Sequence, residues 1–186
     1  MRSSIVVAAI AAGIVSVTAI GVATAFVPGI GAERVRLPEA LDTAFLLYDK
    51  VDRPDRARVR FMYIDRVSAA AARPGEPLPN GTVIVMEDHG VERDAAGTPL
   101  RDAAGRLRPT AEILGREVME KRAGYGAAIP EAYRNGDWDY ASYLPNGQVN
   151  ARAQANLYVC FDCHKPRAGA DYTFTTFAAV QRGLGR

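Results

Sequence analysis

Two thiols with two residues between them and an imidazole directly after the second, Cys160-Phe161-Asp162-Cys163-His164, are the residues of this chain best suited to holding a cofactor covalently. On one helical turn, positions 160 and 163 share a face. Both sulfurs can then form thioethers with the two vinyl groups of one porphyrin, and His164 is carried beneath the iron as its proximal ligand. The chain has two cysteines, and the motif uses both. Competing chemistries ask for more than the sequence offers. A zinc site needs four ligands, and only His89 or a carboxylate could join Cys160, Cys163 and His164. A thioredoxin-type dithiol needs a βαβ setting that the flanks do not supply. One covalently attached haem c is the expected cofactor, with His164 as the metal ligand.

The N-terminus bears on where this happens. Arg2 precedes an apolar run from Ile5 to Val22, and Ala23-Thr24-Ala25 before Phe26 fits the small-x-small cleavage rule. Residues 1–25 read as a signal peptide. An uncleaved anchor is the alternative, weakened by the Ala, Gly, Ser and Thr in the run. Either way the globular part is exported, which in a bacterial-type cell means the periplasm, where c-type haem is attached.

Composition narrows the class. A chain of 186 residues, 48% apolar, with a formal net charge of +2, fits one domain with a real core. Acids and bases nearly balance and no basic stripe is visible, which argues against nucleic acid as a partner. The 17 glycines and 11 prolines are spread along the chain. That distribution favours short strands and turns over a four-helix bundle.

Several elements must position the motif. Residues 26–36, with Pro28, Gly29 and Gly31, read as a tether, and the domain opens at Leu37 with Pro38 as a first helical residue. The run Leu41 to Tyr48 is too short for its period to separate helix from strand. Asp52 to Asp55 is a turn. Val59, Phe61 and Tyr63 then alternate with Arg60, Met62 and Ile64 as in a strand. Arg60 is either an edge-strand arginine that snorkels to water or a cation facing a propionate or the distal pocket. Asp65 to Ala72 is a short helix stopped by Arg73-Pro74-Gly75, and Thr82 to Glu87 is a β-branched strand launched by a turn at Asn80-Gly81. His89 follows, as an exposed loop histidine or a second axial ligand.

Arg-Asp-Ala-Ala-Gly occurs at 93–97 and again at 101–105, and reads as two successive turns of an exposed excursion. Ile113 to Lys121 could be strand or helix, with Gly115, Gly124 and Gly126 favouring strand, and its Glu117, Glu120 and Lys121 are either titratable candidates or a solvated face with weak ion pairs. Arg134 to Asp137 is a hairpin-type turn before a strand from Trp138 to Tyr143. Asn150 caps a helix running from Ala151 through the motif to Lys165-Pro166. Tyr172, Phe174 and Phe177 suit either a haem edge or a core strand.

Set side by side, Arg60 to Asp65, Asn80 to Glu87, Asn135-Gly136-Asp137-Trp138, Cys160 to Lys165 and Asp171-Tyr172-Thr173-Phe174-Thr175 resemble the cytochrome P-460 family. The resemblance covers about Leu37 to Phe177. It implies an α+β domain, mainly antiparallel β-sheet with a few short helices. It also implies one c-type haem with an open or weakly occupied distal site, usually in a homodimer. Two family activities come with it. Members with a lysine cross-link to the haem oxidise hydroxylamine, and the related beta-type cytochromes c′ bind nitric oxide and similar gases. The cross-linking lysine falls at Met86 in the register of Gly-Thr-Val-x-Val-Lys-Glu. A thioether cannot make that bond, which sets hydroxylamine oxidation behind gas binding; Lys121, on another strand, has no spacing argument for taking its place.

Three functions follow. With an open sixth position the protein binds nitric oxide or another small gaseous or nitrogenous ligand, or turns over small nitrogen compounds or peroxide. With Met86, Met62, Met119 or His89 in that position it is an electron carrier serving a periplasmic redox partner. Without metallation it is a haem-free periplasmic binding module. The first is favoured, with Val83, Val85, Phe61 and Tyr63 expected to line a dry apolar pocket and Arg60 as a catalytic donor if it reaches inward.

Overall fold

The computed structural model describes residues 29–185. The signal peptide or anchor expected over residues 1–25 lies outside them. Five strands form one antiparallel sheet in chain order: β1 (Phe45–Arg53), β2 (Arg58–Asp65), β3 (Val83–Val91), β4 (Pro109–Lys121) and β5 (Trp138–Tyr143). Short helices surround it: α1 (Leu41–Ala44), α2 (Arg66–Ala71), α3 (Ala151–Gln154), α4 (Tyr158–His164) and α5 (Phe177–Gly183). This is the α+β, mainly antiparallel single domain that the sequence suggested. No helix among the described residues is long and apolar enough to cross a membrane.

The register assigns every side chain a face. Ile64, Ile84, Met119 and Tyr140 line up across β2 to β5, and the next row is Met62, Met86, Glu117 and Ser142. Because successive residues of a strand point to opposite faces, Tyr63, Val85, Val118 and Ala141 lie on the other side. Each face has its own core. Ile64, Ile84, Met119 and Tyr140 pack with Phe161 and Val180 from the C-terminal helices. Val85, Val118, Ala141 and Tyr143 pack with Ala32, Val35 and Phe45.

Local chemistry explains the boundaries. The Asp65 carboxylate caps α2 by accepting from the Ser68 amide at 2.7 Å, and its other oxygen takes the Val83 amide at 2.9 Å, tying the start of α2 to the start of β3. In the repeat, Asp94 accepts from the amides of Ala96 and Thr98, and Asp102 from those of Ala104 and Arg106. Gly97 and Gly105 are left-handed at φ 83° and 77°, so the two copies fold as the same turn twice.

Several expectations are corrected. Ile30, Ala32 and Val35, within the segment read as a tether, are buried. Arg34 pairs with the fully buried Asp139 at 2.5 Å and stacks on Tyr125, so this segment belongs to the domain. Leu41 to Tyr48, open between helix and strand in the sequence, is helix to Ala44 and strand from Phe45. β2 is an interior strand, so Arg60 is not an edge arginine. The turn at Arg134 to Asp137 is only the end of a longer connection between β4 and β5, which also carries a 3₁₀ turn at Tyr125–Ala128. The helix expected from Ala151 to Lys165 breaks after Gln154, whose side-chain amide is committed to Ala32 and Ile30. Beyond His164 the chain continues as a 3₁₀ helix, Lys165–Ala170, because Pro166 sits in its first turn where no amide donor is needed. Tyr172 to Phe177 is not a strand.

Candidate haem site

The helix α4 carries Cys160, Cys163 and His164 in its last turns, and one side chain fastens it to the sheet. Phe161 is fully buried and meets the ring of Tyr140 edge-on at 4.8 Å. Its carbonyl accepts from the buried Asn135 amide group at 2.9 Å, and that same group donates to the Tyr140 hydroxyl at 3.1 Å. With Phe161 pinned inward, Cys160 is half-buried against the core on which Met62 also packs, while Cys163 lies exposed. Burial pushes the Cys160 thiol up to about 12, with neighbouring negative groups, Glu117 first among them, adding to the effect. Both cysteines are free.

His164 meets what an iron ligand requires. Its Nδ1 lies 2.7 Å from the Tyr172 carbonyl, which can only accept, so Nδ1 carries the hydrogen. Burial holds its pKa below the usual value, only partly offset by that hydrogen bond. The neutral ring therefore keeps the Nε2 lone pair for a metal, in the orientation that a backbone acceptor typically fixes in metal-bound histidines. Tyr140 and Phe174 flank the ring at 4.9 and 5.1 Å. The thiol pair and the singly committed imidazole fit a c-type haem.

The sheet face that packs on α4 presents a mixed surface. Met62 and Met86 stand opposite each other on β2 and β3, and Met119 is one pair further along. Beside them lie Glu117 and Ser142, joined by a hydrogen bond of 3.1 Å from the serine hydroxyl. Burial raises the Glu117 carboxyl to about 7; the Ser142 hydrogen bond opposes that rise, Asp88 adds to it and Arg60 opposes it. Arg60 donates from Nε to Asp88 at 2.9 Å, and Arg58 reaches the same carboxylate at 3.0 Å. The terminal nitrogens of Arg60 make no hydrogen bond among the described residues, so they remain able to donate.

The register separates residues that the sequence had grouped. Val83, Val85, Phe61 and Tyr63, expected to line the pocket, belong to the opposite face. His89 is also there, buried within β3 rather than exposed in a loop. Its Nδ1 donates to the Thr110 carbonyl at 3.0 Å, its Nε2 meets Glu87 at 2.7 Å, and its ring stacks on Phe61 at 4.1 Å. With both nitrogens engaged on the far face, His89 is not placed to serve as an axial ligand. Lys121 is committed to Asp171 at 2.9 Å and to the Leu78 carbonyl at 2.8 Å. The sequence leaves Glu117 between a titratable candidate and a solvated face, and gives no role to Asp88 or Ser142. The signal that could have found them is the strand register, since Met86 and Glu117 are direct partners.

Compared with models of known protein families, the chain matches that of cytochrome P460 over residues 38–175. None of the curated proteins compared matches it.

Proposed function

The chain belongs to the cytochrome P460 family and is a haem c cytochrome, and from that premise we propose that it binds a small uncharged ligand, nitric oxide or a related nitrogen compound. Cys160 and Cys163 would hold the haem and His164 would ligate its iron. When bound, the haem supplies a redox-active iron able to take such a ligand.

One observation carries this reading: the methionine and carboxyl row Met62, Met86, Glu117 and Ser142 on the face that packs against α4. Thioether side chains make a soft, weakly hydrated wall that suits a neutral diatomic better than an anion. Asp88 balances the charge of Arg60 and leaves its terminal nitrogens to donate to a polar ligand atom. Glu117, with its proton held to about pH 7, can give or accept a proton beside a nitrogen ligand under neutral conditions. A thioether at position 86 cannot form the nitrogen-to-porphyrin bond that the resemblance associates with hydroxylamine oxidation, which ranks ligand binding first.

Titration of the reduced, haem-loaded protein with nitric oxide tests this. A saturable change in visible absorption at one ligand per haem is expected. Arg60→Leu should release the ligand roughly tenfold faster, the worth of one hydrogen bond to a charged group of about 1.4 kcal/mol. An unchanged spectrum at saturating nitric oxide would contradict the reading.

A further inference from the structure

Asp171 opens the segment Asp171-Tyr172-Thr173-Phe174-Thr175, which helps define the resemblance. Its carboxylate joins three distant parts of the chain. One oxygen accepts from the Leu78 amide at 2.9 Å and from Lys121 Nζ at 2.9 Å, and the other accepts from Lys121 at 3.1 Å. Lys121 closes the loop by donating to the Leu78 carbonyl at 2.8 Å. Both charged side chains are only 16% exposed, so little solvent screens the pair.

The backbone at this tie is unusual. Asp171 and Tyr172 are consecutive non-glycine residues in the left-handed region, at φ 53° and 56°. L-residues avoid that region, and such conformations persist where the surroundings over-determine them. The Asp171 side chain holds the first residue together with the amide bonds of Asp171 and Tyr172 to the Ala168 and Arg167 carbonyls, at 3.2 and 2.9 Å. The ring of the second lies against Gly136, where an added Cβ would stand in ordinary contact at 3.4 Å. The product of this double turn is the aim of one atom, the Tyr172 carbonyl oxygen, at His164 Nδ1.

We propose that the Lys121–Asp171 ion pair is a positioning device for the proximal histidine, holding the Tyr172 carbonyl against His164 and so setting how strongly that imidazole donates to iron. This rests on the assignment of His164 as the iron ligand. A carbonyl that accepts the Nδ1 hydrogen makes Nε2 more basic, which stabilises ferric iron over ferrous and lowers the midpoint potential. Releasing the turn weakens that bond and raises the potential.

The test uses the full haem-loaded chain and compares wild type with Asp171→Asn, Lys121→Gln and Lys121→Arg. The readouts are the midpoint potential and, in the ferrous state, the iron–histidine stretching frequency by resonance Raman spectroscopy. Lost outer-shell contacts commonly cost a metal site tenfold or more. A tenfold loss of ferric preference reads as an upward shift of about 59 mV. Asp171→Asn and Lys121→Gln should each move the potential up by about that much and lower the stretching frequency, whereas Lys121→Arg restores both. Wild-type potential and frequency in the two disruptive variants would overturn the proposal. Should Asp171→Asn fail to fold, the Lys121→Gln and Lys121→Arg comparison decides alone. His164→Ala that keeps the wild-type spectrum and potential would instead overturn the ligand assignment, and the proposal with it.

Discussion

At the scale of single residues, Glu117 joins stability to chemistry. Its carboxyl is raised to about 7 by burial, so the fold favours the protonated form. A group whose folded pKa lies above its unfolded value contributes stability fully below the unfolded pKa and loses it as pH rises through the folded one. The contribution is therefore complete near pH 4.5 and is lost across about pH 7. Glu117→Gln keeps a polar partner for Ser142 without a charge to bury. Thermal melting should show the wild type losing midpoint temperature from about pH 5 to pH 8, with a flatter profile in Glu117→Gln. Equal slopes in the two proteins would mean that Glu117 titrates as an ordinary exposed carboxylate. Sequence alone could not reveal this, because Glu117 sits among charged neighbours in the chain and its half-buried place comes from its pairing with Met86 and Ser142.

At the scale of elements, the placement of the cysteines depends on α4, and α4 depends on Phe161. The helix is short, and short helices draw their stability from packing rather than propensity. Phe161→Ala removes a fully buried ring from the contact with Tyr140 and should cost about 3–5 kcal/mol in urea denaturation. In the haem-free chain the same change should speed alkylation of Cys160, now packed against the core, while leaving the exposed Cys163 at its wild-type rate. A loss below about 1 kcal/mol would show that something else holds the helix. The strands were legible because alternation at Val59 to Ile64 and Trp138 to Tyr143 is a local property. The helix break after Gln154 was not, since its cause is a side-chain contact with Ile30 and Ala32 more than a hundred positions away.

At the scale of the whole molecule, the sheet divides the chain's polar residues between two faces, and the register does the dividing. The cofactor motif could be read from residues adjacent in sequence, and the family resemblance and the fold class from a few such stretches set side by side. Which strand face meets α4 could not. Val83 and Val85 suggested a pocket lining by their apolar character, but their partners place them with Tyr63 and Val118 on the far side. The N-terminal segment departs from a tether for a related reason. Its Pro and Gly content suggests a tether locally, while Ile30 and Val35 find apolar partners, and Arg34 a buried carboxylate, only once the chain is folded. Under the proposed function the iron would have one protein ligand, His164, and would take a small ligand beside the methionine and carboxyl row. Electron paramagnetic resonance of the resting ferric, haem-loaded protein tests it most directly. A high-spin signal is predicted; a low-spin signal unaltered by added nitric oxide would contradict it, placing a methionine or another strong ligand in the sixth position and making the protein an electron carrier.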